Sequence, residues 1–164
     1  ANAGTPGTRH RIAPPQLDLI TEDLWQQLIA VNLIGVFRCA KAAAPALKAS
    51  HGAIVSTASI AGLGRAGSSL AYGATKAGVV SLTQNLARAL APEVRVNAIA
   101  PGPVTTDLTA TMTPEDRQAF IDALPIGRFG TPEEIAATAL LLVSPEGAFY
   151  VGATLSPNGG DVMY

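Results

Sequence analysis

Residues 52–76 constrain the fold of this chain more than any other stretch. They open with an apolar run, Ala53-Ile54-Val55, pass through a loop rich in glycine and serine, and enter a helix that begins near Tyr72. A continuous apolar start is typical of a strand that is buried in a parallel sheet. A buried strand that is followed by a loop and a helix predicts the βαβ arrangement of a parallel α/β fold.

Residues 1–19 are predicted to form a loop, because several glycines and prolines interrupt any helix or strand pattern there. After this loop, helices and strands alternate in the same way. Capping residues and acidic first turns mark the helix starts at Thr21 and Thr131. The predicted elements are a helix from Thr21 to about Leu47, a strand Gly52–Ser59, a helix from about Ala71 to Leu90, a strand Val94–Ala100, a helical segment from about Thr105 to Leu124, a helix from Thr131 to about Val143 and a strand Ala153–Ser156.

Composition and charge exclude several classes of protein. Hydrophobic residues make up 48% of the 164 residues and charged residues only 14%, which indicates a globular chain with a real core. The net charge is −1 without a block of like charges, which argues against a nucleic-acid surface. A single cysteine, Cys39, excludes a disulfide framework and is interpreted as a small core residue. Because His10 and His51 are the only histidines, we expect no metal site.

No segment predicts membrane insertion or export. No uninterrupted apolar run approaches the roughly 18–20 residues of a membrane span. Residues 1–10 lack the apolar core of a secretory signal. We therefore expect a cytoplasmic protein that does not bind a membrane.

Three side chains between residues 59 and 76 form a candidate proton-transfer group. Tyr72 and Lys76 are four residues apart and share one face of the predicted helix. Ser59 ends the preceding strand, so its hydroxyl is expected in the crevice at the carboxyl ends of the strands. The Lys76 ammonium and the helix dipole are expected to lower the pKa of the phenol. Ser59 would hold a substrate oxygen while Tyr72 gives it a proton, which suits interconversion of a carbonyl and an alcohol.

These features also have ordinary explanations. A Tyr-x-x-x-Lys spacing arises by chance, and alone it describes an aromatic residue at a helix start with a solvated lysine. Asn32 lies on or beside the apolar stripe of the first helix, and such local conflicts tend to mark function. Two ordinary explanations for Asn32 are a core amide whose hydrogen bonds are all made and a helix kink near Gly35. The predicted stripe consists of Leu24, Leu28, Val31, Val36 and Cys39.

The loop Gly62–Gly67 spells Gly-x-Gly-x-x-Gly after a strand, which is the pattern of a dinucleotide phosphate site. In such a site the helix opens within the motif, so that its N–H groups face the pyrophosphate. Here residues 68–70 intervene before the helix, and the first acidic residue downstream is Glu93. The loop is therefore interpreted as a flexible flank of a substrate pocket.

The motifs in order resemble the C-terminal two-thirds of a classical short-chain dehydrogenase/reductase, over essentially all 164 residues. The matching motifs are Asn2-Ala3-Gly4, Val31-Asn32-Leu33-Ile34-Gly35, Ser59 with Tyr72-Gly73-Ala74-Thr75-Lys76, Asn97–Thr106, Gly127–Ala136 and Asn158-Gly159-Gly160. The resemblance implies a Rossmann-like doubly wound parallel sheet. It is closest to the branch that reduces 3-oxoacyl thioesters.

The resemblance implies hydride transfer with NAD or NADP, on a small-molecule carbonyl or alcohol substrate. It makes Tyr72 the general acid/base and Ser59 the group that polarises the carbonyl. Lys76 would lower the pKa of Tyr72 and bind ribose hydroxyls, and Asn32 would hold a water in a proton relay. The implied cofactor-binding residues are Tyr72, Lys76, Pro101 and Gly102, with Val104 and Thr106 at the nicotinamide and Asn2 and Gly4 near the adenosine.

The family's first βαβ unit, with its Gly-x-x-x-Gly-x-Gly loop, has no counterpart in this sequence. The chain is therefore interpreted as a single partial domain, 1–164, whose first strand has an exposed edge. The alternative is a non-catalytic fragment or dimerisation module that does not bind a dinucleotide on its own. The resemblance implies a homodimer or homotetramer, because in the family the helices at about 21–47 and 71–90 pair across a dimer.

The substrate pocket is expected to be mostly apolar. Its predicted lining is Ile60, Ala61, Leu63, Pro103 and the segment from about Thr105 to Leu124. His10, Arg11 and Arg65 are interpreted as solvated loop residues.

Overall fold

A computed structural model of the chain describes residues 1–110 and 112–163. The strands are β1 (Ala53–Thr57), β2 (Arg95–Ile99) and β3 (Thr154–Leu155). The helices are α1 (Glu22–Leu28), α2 (Gly35–Ala49), α3 (Leu70–Leu90), α4 (Asp107–Ala110), α5 (Pro114–Ala123) and α6 (Pro132–Val143). A π-helical turn, Ile29–Ile34, joins α1 to α2, and 3-10 turns occupy Leu17–Leu19, Ile60–Leu63 and Pro145–Gly147.

The predicted elements are confirmed with small changes at their ends. The predicted segment Thr105–Leu124 contains two helices, α4 and α5, and its residue Thr111 lies outside the described residues. The predicted cap at Thr131 is a full capping box: its hydroxyl accepts from the Glu134 N–H while the Glu134 carboxylate accepts from the Thr131 N–H. Helix α6 therefore begins where its sequence signal places it.

The strands form one parallel sheet in the order β1-β2-β3. Strand β1 pairs with β2 from Ala53 opposite Arg95 to Thr57 opposite Ile99. Residues 96–99 of β2 are all buried, so both faces of this central strand are covered, as a parallel sheet requires. Because the strands run in one direction, their carboxyl ends meet at one edge, where α/β folds place their sites.

The outer edge of β1 is covered in part, which corrects the expectation of an exposed edge. The nitrogen of Ala1 donates to the Val55 carbonyl oxygen at 2.6 Å, and the Thr57 N–H donates to the Ala1 carbonyl oxygen at 3.0 Å. The extended first residue therefore continues the hydrogen bonding of the sheet beyond β1.

The first long helix runs continuously from Glu22 to Ala49 through the π-helical turn. Its buried residues recur every four positions and are Leu24, Leu28, Asn32, Val36 and Ala40. An α-helix has about 3.6 residues per turn, so side chains four positions apart move gradually around the helix. The π-helical turn has more residues per turn and returns these side chains to one face. Val31 and Cys39 consequently face outward, and the interpretation of Cys39 as a core residue is wrong.

This helix, Glu22–Ala49, is long and apolar enough to cross a membrane by length and composition alone. The expectation that no segment reaches this limit is wrong, because it considered uninterrupted apolar runs and this helix contains interspersed polar residues. A single such helix is weak evidence for a membrane span. Most of its apolar stretch is exposed, so the helix presents an apolar face to its surroundings; the exposed residues are Ile29, Val31, Ile34 and Phe37.

Candidate active site

The carboxyl edge of the sheet brings Ser59, Tyr72 and Lys76 together. Ser59 follows β1 and caps the next 3-10 turn by accepting from the Ala61 N–H at 3.2 Å. Tyr72 and Lys76 lie in the first two turns of α3. The Ser59 hydroxyl is near enough to the Tyr72 phenol to lower its pKa, and the Lys76 Nζ lies 5.7 Å from the centre of the Tyr72 ring. A hydroxyl, a phenol and an ammonium thus share one small volume.

Lys76 is 5% exposed, and its ammonium donates to the Thr57 carbonyl oxygen at 2.8 Å. Among the described residues, this carbonyl is the only hydrogen-bond acceptor that Lys76 contacts. An ammonium carries three N–H donors, so two remain for other ligands. Burial lowers the pKa of Lys76, which shows the cost of holding this charge out of water.

Burial raises the pKa of the Tyr72 phenol, and the hydrogen bond with Ser59 offsets this only in part. The expectation that Lys76 and the helix dipole lower this pKa is therefore wrong for the protein without ligands. The physical reason is that desolvation outweighs the neighbouring charge, while the ammonium is engaged by the Thr57 carbonyl. The phenol is protonated at neutral pH, which is the state that a proton donor needs.

The N-cap of α3 is Ser69, which was not predicted from the sequence, and it fixes the first turn of the helix around Tyr72. The buried Ser69 hydroxyl accepts from the Tyr72 N–H at 3.0 Å. One turn later, the Thr75 hydroxyl donates to the Tyr72 carbonyl oxygen at 2.8 Å. Serine three residues before the bonded N–H is an ordinary N-cap signal, so the sequence contained this information.

Asn32 is fully buried, and its amide holds the segment that precedes the first helix. Its Oδ1 accepts from the Thr5 N–H at 2.9 Å, and its Nδ2 donates to the Thr5 carbonyl oxygen at 2.9 Å. The same Nδ2 donates to the Thr75 hydroxyl at 3.4 Å. A Cβ on Gly4 would lie 3.4 Å from the Lys76 Nζ and 3.5 Å from the Asn32 Oδ1. Asn32 therefore holds residues 4 and 5 against the ammonium.

The loop Gly62–Gly67 packs directly on α3. A Cβ on Gly62 would lie 2.6 Å from the Lys76 carbonyl carbon, and a Cβ on Gly67 would lie 2.8 Å from Cδ1 of Tyr72. Neither position has room for a side chain, because the nearest atoms belong to the catalytic helix. The close approach of the loop to this helix accounts for these two glycines without a bound phosphate.

A cavity of about 550 Å³ opens in front of Ser59 and Tyr72. Of the predicted lining, Ile60 and Pro103 face it, whereas Ala61 and Leu63 do not. The described part of residues 105–124 contributes Thr106, Thr109, Met112 and Phe120. The exposed lining is mostly apolar, as expected, and it also includes polar or charged side chains from Arg9, His10, Arg11, Arg65 and Asp161.

The predicted cofactor-binding residues fall into two groups. Pro101, Gly102, Val104 and Thr106 line the same cavity as Tyr72, and the segment is held in place by a parallel β-bridge between Val104 and Gly130. The other two residues lie elsewhere: Gly4 is beside Lys76 and Asn32, and Asn2 is exposed.

The donor set fits the nicotinamide and ribose half of a dinucleotide. Lys76 has spare N–H donors beside the phenol, and residues 101–106 form the adjoining wall. Within the described residues, no glycine loop opens a helix toward a pyrophosphate. The same part of the chain contains no group of three His, Cys, Asp or Glu residues that could hold a metal ion.

Comparison with known proteins extends this description. Residues 2–161 match the family model described as "Enoyl-(Acyl carrier protein) reductase". The chain is 40% identical over 145 residues to the 3-oxoacyl-[acyl-carrier-protein] reductase FabG of Vibrio cholerae, which covers 87% of this chain and 59% of that protein. It is 37% identical over 144 residues to FabG of Escherichia coli, with the same coverage of 87% and 59%.

Solved structures give the same result. A short-chain dehydrogenase/reductase from Burkholderia xenovorans superposes with a TM-score of 0.83 at 34% identity, covering 97% of this chain and 62% of that one. The 3-oxoacyl-[acyl-carrier protein] reductase of Brucella melitensis also gives 0.83, at 36% identity, covering 88% and 55%. The chain thus spans less than two thirds of the length of these relatives. The match of the family model over nearly the whole chain, together with the parallel sheet, shows that this chain belongs to the short-chain dehydrogenase/reductase family.

Proposed function

We propose that residues 1–164 are the catalytic part of an NAD(P)-dependent oxidoreductase that interconverts a ketone and a secondary alcohol. The observation that carries this proposal is the position of Tyr72. Its protonated phenol lies at a cavity, beside the Ser59 hydroxyl and next to the buried ammonium of Lys76. A weak acid, a second hydroxyl and a cation at the carboxyl edge of a parallel sheet suit proton transfer to a carbonyl oxygen.

Each residue has a distinct role in the reduction of a ketone. The nicotinamide cofactor, when bound, supplies a hydride to the carbonyl carbon. Ser59 donates a hydrogen bond to the carbonyl oxygen, and Tyr72 gives that oxygen its proton, so that the carbonyl becomes an alcohol. Lys76 stabilises the resulting phenolate by its positive charge. In alcohol oxidation the phenolate takes the proton back.

Asn32 acts as a positioning residue in this proposal. Its two hydrogen bonds to Thr5 hold the backbone of residues 4 and 5 beside the Lys76 ammonium. Because both ends of its amide are engaged within the protein, its side chain has a smaller part in the proposed water relay than the sequence suggested.

The named relatives support a substrate of the 3-oxoacyl thioester class, because several of them are 3-oxoacyl-[acyl-carrier-protein] reductases. We propose NAD or NADP as the cofactor, without a choice between the two. A cytoplasmic protein without a membrane partner also remains our proposal.

The experiment is a comparison of Tyr72→Phe with Tyr150→Phe. Among the described residues, Tyr150 hydrogen-bonds only through its backbone, so the loss of its hydroxyl is a matched control. NADPH and NADH oxidation are followed with a 3-oxoacyl thioester. We expect Tyr72→Phe to lose at least about 10²-fold in kcat, the usual contribution of a general acid, and Tyr150→Phe to keep its activity. Full turnover by Tyr72→Phe would exclude Tyr72 as the proton donor.

A second candidate function, an assembly module without catalysis, is favoured by one observation. The helix Glu22–Ala49 exposes the apolar side chains of Ile29, Val31, Ile34 and Phe37. A second copy of the chain would bury this face, which fits the expected homodimer or homotetramer. Calorimetric titration with NADH and NADPH separates the candidates: micromolar binding supports the enzyme, and no binding together with tight self-association supports the module.

A further inference from the structure

The cavity beside Tyr72 has a cationic rim that the proposed reaction does not use. This rim consists of Arg9 and Arg11 on the loop before the first helix, on either side of His10, and of Arg65 on the glycine loop. Asp161 is the only carboxylate among the described residues that line the cavity. The three arginines therefore outnumber the acidic residues there, although the whole chain has a net charge of −1.

The loop that carries Arg9, His10 and Arg11 is fastened at both ends. The Ser68 hydroxyl donates to the Pro6 carbonyl oxygen at 3.3 Å, and the Ile12 N–H donates to the Ser68 carbonyl oxygen at 2.7 Å. The Ile12 side chain is buried against Leu24, Leu28 and Ala71. Although these three side chains are exposed, their backbone is tied to the segment that leads into Tyr72.

Arg65 is already neutralised, which leaves the other two arginines for a ligand. Its guanidinium forms an ion pair with Asp161, whose loop is held by hydrogen bonds from and to the Asn158 side chain. Within the described residues, neither Arg9 nor Arg11 has a carboxylate partner. A guanidinium matches the geometry of a carboxylate or a phosphate, so an anion is the complementary ligand.

Thr8 lies on the same loop and lines the same cavity. Its Oγ1 has no hydrogen-bond partner among the described residues, but this oxygen is closed off from solvent. The two guanidiniums, rather than this hydroxyl, are therefore the groups that would contact an anion.

We infer that the substrate carries an anionic group, a carboxylate or a phosphate, which Arg9 and Arg11 bind while its carbonyl group lies at Ser59 and Tyr72. This inference rests on the proposed function, because it assigns the far end of the same substrate. The cavity of about 550 Å³ is of the size that holds a small organic molecule. The anion would orient the substrate and would not enter the proton transfer.

The test uses matched ketones that differ only in charge. One pair is dihydroxyacetone phosphate and dihydroxyacetone, and the other is 4-oxopentanoate and its methyl ester. The first pair reports recognition of a phosphate and the second recognition of a carboxylate. The quantity is the ratio of kcat/KM for the anionic ketone to kcat/KM for the neutral ketone, with NADPH or NADH in excess. A general loss of activity cancels in this ratio.

We expect a ratio of at least about ten in one of the two pairs, the effect of one charge-assisted hydrogen bond. The double variant Arg9→Gln/Arg11→Gln should bring the ratio close to one. The control Arg88→Gln, at an exposed arginine of α3 that does not line the cavity, should keep it. A ratio near one in the unchanged protein, or a high ratio that survives the double variant, would overturn the inference.

Binding measured by ligand-observed NMR covers the case in which no ketone is turned over. Selective binding of the anionic member, lost in Arg9→Gln/Arg11→Gln and kept in Arg88→Gln, would support the anion site, and the Tyr72→Phe assay with a 3-oxoacyl thioester tests the proposed function separately. Equal binding of charged and neutral members would contradict the anion site whatever the turnover shows.

Discussion

Tyr72 shows how burial and a nearby charge compete at one residue. The phenol lies 5.7 Å from the Lys76 ammonium, measured to the ring centre, yet burial raises its pKa. The spacing of these residues could be predicted from the sequence because four positions on a helix share a face. The direction of the pKa shift could not, because it depends on how much protein surrounds the phenol.

The first prediction is that Tyr72 in the ligand-free protein ionises above pH 10.0, the ordinary pKa of tyrosine. The unfolded chain ionises this phenol near its ordinary pKa while the folded chain keeps it protonated. The free energy of unfolding should therefore fall as the pH rises from about 10 through the folded pKa, and Tyr72→Phe should remove this part of the fall. An ultraviolet difference titration of the two proteins measures the ionisation. A midpoint below the ordinary value would mean that the charge of Lys76 outweighs burial.

The second prediction concerns Asn32. Asn32→Ala leaves the partly buried N–H and carbonyl of Thr5 without their partners, so the free energy of unfolding should fall by up to about 1–3 kcal/mol for each group that stays unsatisfied. Asn85→Ala is the matched control, because that amide is exposed and donates only to the Ser81 carbonyl oxygen. Denaturant unfolding measures both variants. Equal stabilities would show that water replaces the Asn32 amide at no cost.

At the scale of elements, hydrophobic pattern and capping residues predicted the strands and most helix ends, because these signals are local. The π-helical turn at Ile29–Ile34 was missed, and with it the outward direction of Val31 and Cys39. Its cause is the burial of Asn32 against Thr5, a contact between residues far apart in sequence. The arginines in the cavity wall were not predicted for the same reason. The loop that carries Arg9 and Arg11 is held at the cavity by the contact between Ser68 and Pro6, which exists only in the folded chain.

The third prediction concerns the contact between the glycine loop and α3. Gly62→Ala places a methyl group 2.6 Å from the Lys76 carbonyl carbon, so the loop or the helix must shift. We expect a loss of about 1–3 kcal/mol in the free energy of unfolding, together with reduced turnover. Gly130→Ala is the control, because its Cβ would have no neighbour closer than 3.6 Å. A loss in Gly62→Ala no greater than in the control would contradict the packing argument.

At the scale of the whole molecule, the helix Glu22–Ala49 presents an exposed apolar face. A face of this kind is normally covered by another chain or by a membrane. The buried Asn32, which binds the first loop, fixes the opposite side of this helix on the protein core. We therefore favour a second copy of the chain as the covering partner.

The fourth prediction follows from this surface. Phe37→Asp adds a charge to the apolar face and should convert a dimer or tetramer to a smaller species in sedimentation velocity. Leu17→Asp is the control, since that leucine is also exposed but lies on a separate turn. An unchanged sedimentation coefficient for Phe37→Asp would show that this face is not the interface.

A measurement of hydride transfer is the most direct test of the proposed oxidoreductase activity. NADPH or NADH that carries deuterium at the transferable position is incubated with the protein and a 3-oxoacyl thioester, and the alcohol is analysed by mass spectrometry. We expect deuterium on the carbinol carbon for the unchanged protein, and a loss of at least about 10²-fold in product for Tyr72→Phe. No labelled alcohol from the unchanged protein, or the same yield from Tyr72→Phe, would contradict the proposed activity.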